Sequence, residues 1–434
     1  MLTTKYVRDN LDAIKASLER RRSDYPIDEL LKLDKEYREI KAKLQKLQER
    51  RNRDSLEISD MRKRKEDASA KITASGEIKK EIGEAEAALQ EYGEKIDGLL
   101  WNMPNVLHES VPYGEDSTKN VELRKWGKPR TAQSKGHEEI LSTLGLIDIE
   151  RAAKVAGSRF FYMEGDLAML QMSLARFAID EISKKGYRVV IPPFMIRKKY
   201  YRGVTALADF EDALYRVADP EEVKGKRDYE RVEDELFMIS TAEHALGAMH
   251  AGEVFSGREL PLRYVGLSPC FRREAGAHGK DTKGIFRVHQ FYKAEQFIFS
   301  RQEDSWEYFS ELVKNEEELF QKLGIPYHVI EMCTGDIGTV AAKKYDLEAW
   351  MPSQQTYREV TSASNCTDWQ SVRLDIKYDD RGERKYVHTL NATAIADTRT
   401  LVAIAENYLN EDGSITVPEV LVPYMGKDRI RKTA

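Results

Sequence analysis

Between Phe271 and Glu295 the chain gathers cations, carboxylates and an aromatic ring in a pattern suited to a polyanion. A strand sends alternate side chains to opposite faces, so a strand through this stretch aligns Arg287, His289, Phe291, Lys293 and Glu295. The run before it ends in Arg272 and Glu274, again two apart. The loop between, roughly Ala275 to Ile285, is rich in Gly and Lys and longer than an ordinary hairpin connection. Such a ring among cations fits a flat, phosphate-bearing ligand: the ring stacks on a base and the cations meet phosphates. A solvated sheet face with internal ion pairs would present the same residues. For Arg287 and Lys293 in particular, ligand contact and structural pairing both stay open.

Other motifs narrow the chemistry. There is no Gly-x4-Gly-Lys-Ser/Thr and no Gly-x-Gly-x-x-Gly, so a nucleotide site here is of another kind. His244, His278 and His289 have no spacing known for zinc. The three cysteines, Cys270, Cys333 and Cys366, are odd in number and far apart, which predicts buried free thiols rather than disulfides or a Cys-rich metal site.

The elements that must position these groups fall into two regions. Charged residues make up 33% of 434 and the net charge is -5, so a nucleic-acid contact has to come from local basic patches. The N-terminus is charged from Lys5 onward and no apolar run reaches membrane-spanning length. These features predict a cytoplasmic protein with no membrane partner. From Ile27 to Trp101 there is no proline, and apolar residues recur at spacings of three and four. One series is Leu30, Leu33, Tyr37, Ile40, Leu44, Leu47, Ile58 and Met61, interrupted near Arg51 and Asp54. The other is Ile78, Ile82, Ala85, Leu89, Tyr92, Ile96 and Leu99. Two such seams predict an antiparallel coiled-coil hairpin with arms of roughly 50 Å. Its turn falls at Arg62–Ser69, with Asp67 as N-cap, or alternatively at Thr73–Glu77. A dimerisation coiled coil and a probe for a large partner explain the hairpin equally well; its first helix and turn carry most of the Lys and Arg.

After the linker Trp101–Asp116, strands and helices mix without regular βαβ alternation. That predicts an α+β domain on a mainly antiparallel β-sheet flanked by helices. The expected domains are residues 1–110, with the arm at about 27–101, and residues 111–434. Residues 219–235 read as an exposed charged loop, and only a short tail follows Tyr408.

Four segments taken together resemble the signature motifs of class II aminoacyl-tRNA synthetases. "GYRVVIPPF" ends in a proline pair, with Pro193 matching motif 1. Phe271, Arg272, Glu274 and Phe291 match motif 2, and Arg399 in "HTLNATAIADTRTLVAIAENY" matches motif 3; "YREVTSASN" stands between them. More narrowly, "STAEHAL", "RVHQFYKAEQ", "TGDIGTVAAKKYDLEAWMP" and the long hairpin resemble the seryl-tRNA synthetase family over essentially the whole chain.

The resemblance implies ATP-dependent activation of L-serine to seryl-adenylate, then transfer to the 3′ end of tRNA-Ser, with tRNA-Sec a further candidate acceptor. It implies a homodimer packed through motif 1, with the hairpin on the long variable arm of the tRNA. It implies that Arg272 contacts the α-phosphate and the serine carboxylate, and that Arg399 holds the γ-phosphate side. Phe291 would stack on adenine with Arg399 on the other face, and Glu274 and the backbone at Val288 would touch the base. Arg273, Val360 and Thr361 complete the expected ATP site, and Glu359 and Ser362 would hold Mg²⁺. Arg272, Glu359 and Arg399 form the expected catalytic set. Serine would be read by Thr241, Ala242, Glu243, Arg272, Glu295, Asn391 and Thr393. Two positions depart from the family pattern. Ala392 replaces a common glycine after Asn391, and Arg202–Tyr215 replaces a Gly-rich loop, which puts the tightness of the serine pocket in question. A ligase charging a carrier protein and a non-catalytic coiled-coil scaffold are the competing readings; the long arm opposes the first, and the intact Arg272, Glu274, Glu295, Glu359 and Arg399 oppose the second.

Overall fold

The computed structural model describes residues 3–132, 134–206, 211–218, 235–274 and 283–432. The chain divides into two compact units, Met1–Pro104 and Asn105–Ala434.

The first unit opens with two short helices, Thr4–Asp9 and Leu11–Arg20, followed by the hairpin helices α1 (Ile27–Lys63) and α2 (Ser69–Trp101). The turn falls at the first of the two expected places, and Thr73–Glu77 lies inside α2. Asp67 stands one residue outside the cap position, which Ala68 occupies, but its carboxylate still accepts from the Ser69 N–H at 2.9 Å. Leu47, Ile78 and Ile82 pack together along the seam, so the polar interruption near Arg51 and Asp54 does not end α1. Asp34 is buried near the base of the arm, held between Arg8 at 2.8 Å and Arg38 at 3.0 Å. The apolar series gave no hint of that charge, because its partner Arg8 lies on a separate helix.

The second unit is built on one eight-stranded sheet. In chain order its strands are β1 (Val121–Trp126), β2 (Arg188–Val190), β3 (Leu262–Phe271), β4 (Gln290–Ser300), β5 (Tyr327–Glu331), β6 (Lys343–Met351), β7 (Thr356–Asn365) and β8 (His388–Ala396). Across the sheet they run β1-β5-β6-β7-β8-β4-β3-β2. Every neighbouring pair is antiparallel except β2 with β3. Three helices pack on the sheet: α3 (Gly165–Ser183), α5 (Ser305–Leu323) and α6 (Asp397–Asn407); α4 (Ala242–Ala248) lies against β3 and β4. The central strand β8 is buried along almost its whole length, as expected where both faces are covered.

Two β-bulges re-aim side chains beside one another. On β7, Thr361 pairs with Leu347 and Glu359 with Glu348, leaving Val360 as an extra residue. On β8, Ile395 pairs with Ala294 and Thr393 with Glu295, leaving Ala394 extra. Each bulge shifts the alternation by one, so residues three apart face the same side. Ala392 pairs with Gln296 and Ala363 in the middle of the sheet, its methyl is fully buried, and it is not among the residues with positive φ. Nothing in the backbone there requires glycine. Among the described residues, no helix is long and apolar enough to cross a membrane. The expected loop at 219–235 lies outside the described residues save its last position, as do His278, 207–210 of the departing segment and 275–282 of the motif 2 loop.

Candidate active site

An open cleft of about 510 Å³, solvent-facing space included, runs between the end of β3 and the strands β4, β7 and β8. Its walls bring together Arg272, Glu274, Arg287, Val288, Phe291, Lys293, Glu359, Val360, Thr361, Ser362, Thr393 and Arg399. The bulges explain the grouping: Glu359 and Ser362, and Thr393 and Ala396, are three apart yet share the cleft. Arg399 enters from the first turn of α6, which follows β8 without a loop. A helix start presents free N–H groups and positive potential, which favours an anion.

The cations are held in place by nearby acceptors. Arg272 donates its backbone N–H to His289 and its Nε to the Ser240 carbonyl at 3.4 Å, and its guanidinium lies 5.2 Å from the Phe291 ring centre. His289 donates from Nδ1 to the Arg272 carbonyl at 2.7 Å. Arg399 pairs with the Glu359 carboxylate at 3.1 Å and lies over the ring of Phe286 rather than that of Phe291. Burial alone would raise the Glu359 pKa, but Arg399, Lys344 and Arg272 outweigh it and hold it at about 2. Glu359 is therefore an anion at any working pH, and it is half-exposed to the cleft. Arg287 and Lys293 line the cleft and are also ion-paired, to Glu274 at 2.7 Å and Glu295 at 2.6 Å. Structural pairing is thus present at both, in side chains that also line the cleft.

Beside this cleft sits a buried polar group of different character. Glu295 is 1% exposed and bonds Lys293 and the Thr393 hydroxyl, which donates at 3.2 Å. Burial raises its pKa, with Lys293, Thr393 and Arg272 pulling against it. Thr241 caps α4, accepting from the Glu243 N–H. Burial, then Glu295, pushes the Glu243 carboxyl up to about 7, and the Gln370 amide donates to it at 3.0 Å. Asn391 is buried with its amide 3.7 Å from the Cys366 thiol. The two carboxyls lie close enough that the charge of Glu295 helps to raise the Glu243 pKa.

Some expected residues stand elsewhere. Ala242 packs its methyl into the apolar cluster of Val204, Leu246 and Phe297, so only its backbone is left for a ligand. Arg273 is exposed, outside the cleft walls, with its N–H on the Ala213 carbonyl. His244 packs at a tilt against the Tyr201 ring, and burial, then Lys293 and Arg272, lowers its pKa to about 3. Sequence reasoning missed Phe286, whose ring centre lies 4.4 Å from the guanidinium of Arg358 and 5.3 Å from that of Arg399. It also missed Lys344 and Asp346 on β6, an ion pair at 3.4 Å whose cation acts on Glu359. "GIFRVHQF" held a signal for Phe286, a second ring five residues before Phe291; the β6 pair had none, because it reaches the site only through strand pairing.

Glu359 and Ser362 supply hard oxygen donors on one side of the cleft. Among the described residues no group of three or more His, Cys, Asp or Glu is arranged for a metal. The set fits a cation that arrives with phosphates and takes one carboxylate from the protein, as Mg²⁺ does.

The chain is similar to known proteins along its whole length. Residues 1–107 match a sequence model of the seryl-tRNA synthetase N-terminal domain, and residues 222–408 match one of the class II tRNA synthetase core domain (G, H, P, S and T). A serine–tRNA ligase of Pyrococcus horikoshii is 47% identical over 98% of this chain and 96% of its own length. A crystal structure of seryl-tRNA synthetase from the same organism, complexed with ATP, matches all of both chains with a TM-score of 0.93 at 46% identity. The cytoplasmic serine–tRNA ligase of Naegleria fowleri in complex with AMP matches 99% of this chain and 97% of its own, with a TM-score of 0.87 at 35% identity.

Proposed function

Since this chain belongs to the seryl-tRNA synthetase family, we propose that it is a serine–tRNA ligase that acts in the cytoplasm. It forms seryl-adenylate and pyrophosphate from L-serine and ATP, then esterifies the 3′ end of tRNA-Ser. The observation that carries this reading is the cleft itself. Arg272, Arg399 and Glu359, from three separate elements, surround a ring-lined space that borders the buried Glu295–Thr393 pair.

Both reactants of the first step are anions. The serine carboxylate attacks the α-phosphorus of ATP, and pyrophosphate leaves. Positioning and charge neutralisation supply most of the catalysis, and no covalent protein nucleophile is needed. Arg272 bridges the α-phosphate and the carboxylate. Arg399 exchanges Glu359 for the γ-phosphate. Phe291 and Phe286 bracket the nucleotide end, and Glu274 meets the adenine amino group. Glu359 and Ser362 would hold Mg²⁺, which would supply positive charge to offset that of the phosphates. Glu243 and Glu295 take the serine ammonium and hydroxyl, with Thr393, Thr241 and Asn391 around them. In the second step the terminal ribose hydroxyl of the tRNA attacks the adenylate carbonyl and AMP leaves.

Serine-dependent exchange of pyrophosphate into ATP tests this reading. Serine supports exchange; alanine is slower by about 10⁴-fold, because it leaves the buried partners of the hydroxyl unpaired. Threonine, rejected only by bulk, is the weaker discrimination. Equal rates with serine and alanine contradict these assignments.

The same reading makes the protein a homodimer. The β2 edge and its flanks expose Val189, Ile191, Phe194 and Met195, and α3 exposes Met169 and Met172. An apolar surface of this kind beside an open sheet edge favours a second copy. Ile191 is 73% exposed, so Ile191→Asp leaves the fold intact and halves the mass in sedimentation equilibrium. An unchanged mass removes this face from the dimer. The arm, α1 and α2, is assigned to the long variable arm of tRNA-Ser, on the strength of the Lys and Arg of α1 and the match of residues 1–107.

A further inference from the structure

His137 lies far from the motifs in sequence, yet it bonds to Ile285, the residue before Phe286 of the cleft wall. It is buried at the start of the helix His137–Thr143. Its Nδ1 is 3.4 Å from Oε1 of Glu406, and its Nε2 accepts the Ile285 N–H at 3.1 Å. Glu406 is completely buried near the end of α6 and also accepts the backbone N–H groups of His137 at 3.1 Å and Ser353 at 3.0 Å. Burial opposes its charge, but those bonds and His137 keep it an anion. A carboxylate only accepts, so Nδ1 carries the imidazole proton and Nε2 is left as the acceptor for Ile285. Gly284, at φ +72°, leaves the space this requires: a Cβ there would collide with the imidazole.

The link joins two parts of the site. Ile285 immediately precedes Phe286, Arg287 and Val288, all of which line the cleft. Glu406 belongs to α6, whose first turn carries Arg399, and Arg399 lies over the Phe286 ring at 5.3 Å. We propose that His137 is a positioning residue for ATP: through Glu406 and Ile285 it sets the returning end of the motif 2 loop against α6, and so sets Phe286 beneath Arg399. It touches no reacting atom. The role rests on the ligase reading only for the identity of the nucleotide.

The test compares His137→Phe with His137→Gln in the full-length protein. Glutamine can offer an oxygen to the Ile285 N–H; phenylalanine cannot. Calorimetric titration with ATP and Mg²⁺, without serine, reads the nucleotide site whether or not adenylate forms. His137→Phe weakens ATP by about tenfold, the size expected when one buried donor loses its acceptor. His137→Gln stays within about threefold of the wild type, a partial rescue by the retained acceptor. In pyrophosphate exchange the KM for ATP rises in His137→Phe, while the KM for serine stays within about twofold, since one lost hydrogen bond acts locally. Equal ATP affinity in all three proteins overturns the proposal, as does a parallel rise in both KM values. Should His137→Phe fail to fold, ATP binding by His137→Gln and Glu406→Gln decides. Glu406→Gln can turn an amide toward His137 and free its Nε2 from the accepting role, so unchanged ATP affinity in both overturns the proposal and weakened affinity in Glu406→Gln supports it. A wild type that binds ATP but shows no serine-dependent exchange would count against the ligase reading and leave this inference standing.

Discussion

Arg272→Ala lowers serine-dependent pyrophosphate exchange by about 10²–10³-fold, the loss that follows removal of one fixed donor from a developing anion. In the proposed mechanism Arg272 is the cation that serves both substrates. It lies at the end of β3, its backbone is tied to His289, its Nε rests on the Ser240 carbonyl, and its guanidinium faces the Phe291 ring. Loss of that charge leaves the serine carboxylate and the α-phosphate to repel one another. Arg272→Lys recovers only part of the rate, because an ammonium cannot offer the planar fork that bridges two oxyanions. The rate with saturating ATP and serine, on protein with an unchanged circular dichroism spectrum, is the measurement. A loss of less than about tenfold would remove Arg272 from the centre of the mechanism.

Lys293→Met destabilises the folded protein by about 3–5 kcal/mol, the usual cost of stripping one partner from a buried ion pair. Lys293 and Glu295 are 9% and 1% exposed and 2.6 Å apart. Without the ammonium, Glu295 keeps only Thr393 and Arg272 against its burial. Its pKa is already raised in the native protein, and the substitution raises it further. A carboxyl whose folded pKa exceeds its unfolded value binds more protons when folded, so stability falls as pH rises. The gap between variant and wild type is therefore widest near neutrality and narrows as pH falls toward the ordinary glutamate pKa of about 4.3. Lys293→Met with Glu295→Gln recovers most of the loss, since no uncompensated charge remains. Urea denaturation at two pH values measures all three. Equal destabilisation at both would show that Glu295 never carries the cost.

The sequence made the fold class and most of the cleft legible because both rest on local patterns. The 3–4 spacing located the arm, the Arg272-to-Glu295 alternation located the hairpin of β3 and β4, and the junction at Arg399 located the start of α6. What stayed hidden depends on contacts between distant segments. The resemblance names Glu359 and Ser362, but they are three apart and would face opposite sides of a regular strand, and the bulge at Val360 that brings both to the cleft leaves no mark in the sequence. Lys344 and Asp346 reach the site through the β6–β7 register. His137 reaches it across 148 positions by one bond to Ile285, and the buried charge of Asp34 is intelligible only once Arg8 lies beside it. At Ala242 the motif marks the position but not the orientation: its methyl belongs to the core, which leaves only its backbone for a ligand.

Charging of purified tRNA is the most direct test of the central claim. The full-length protein, ATP, Mg²⁺ and labelled serine are incubated with tRNA-Ser and with a tRNA that has a short variable arm. The account predicts a serine ester at the 3′ end of tRNA-Ser, absent from the second tRNA and lost from tRNA-Ser when its variable arm is removed. Serine-dependent exchange with no ester on tRNA-Ser would contradict it, and would move the assignment to a ligase with another acceptor.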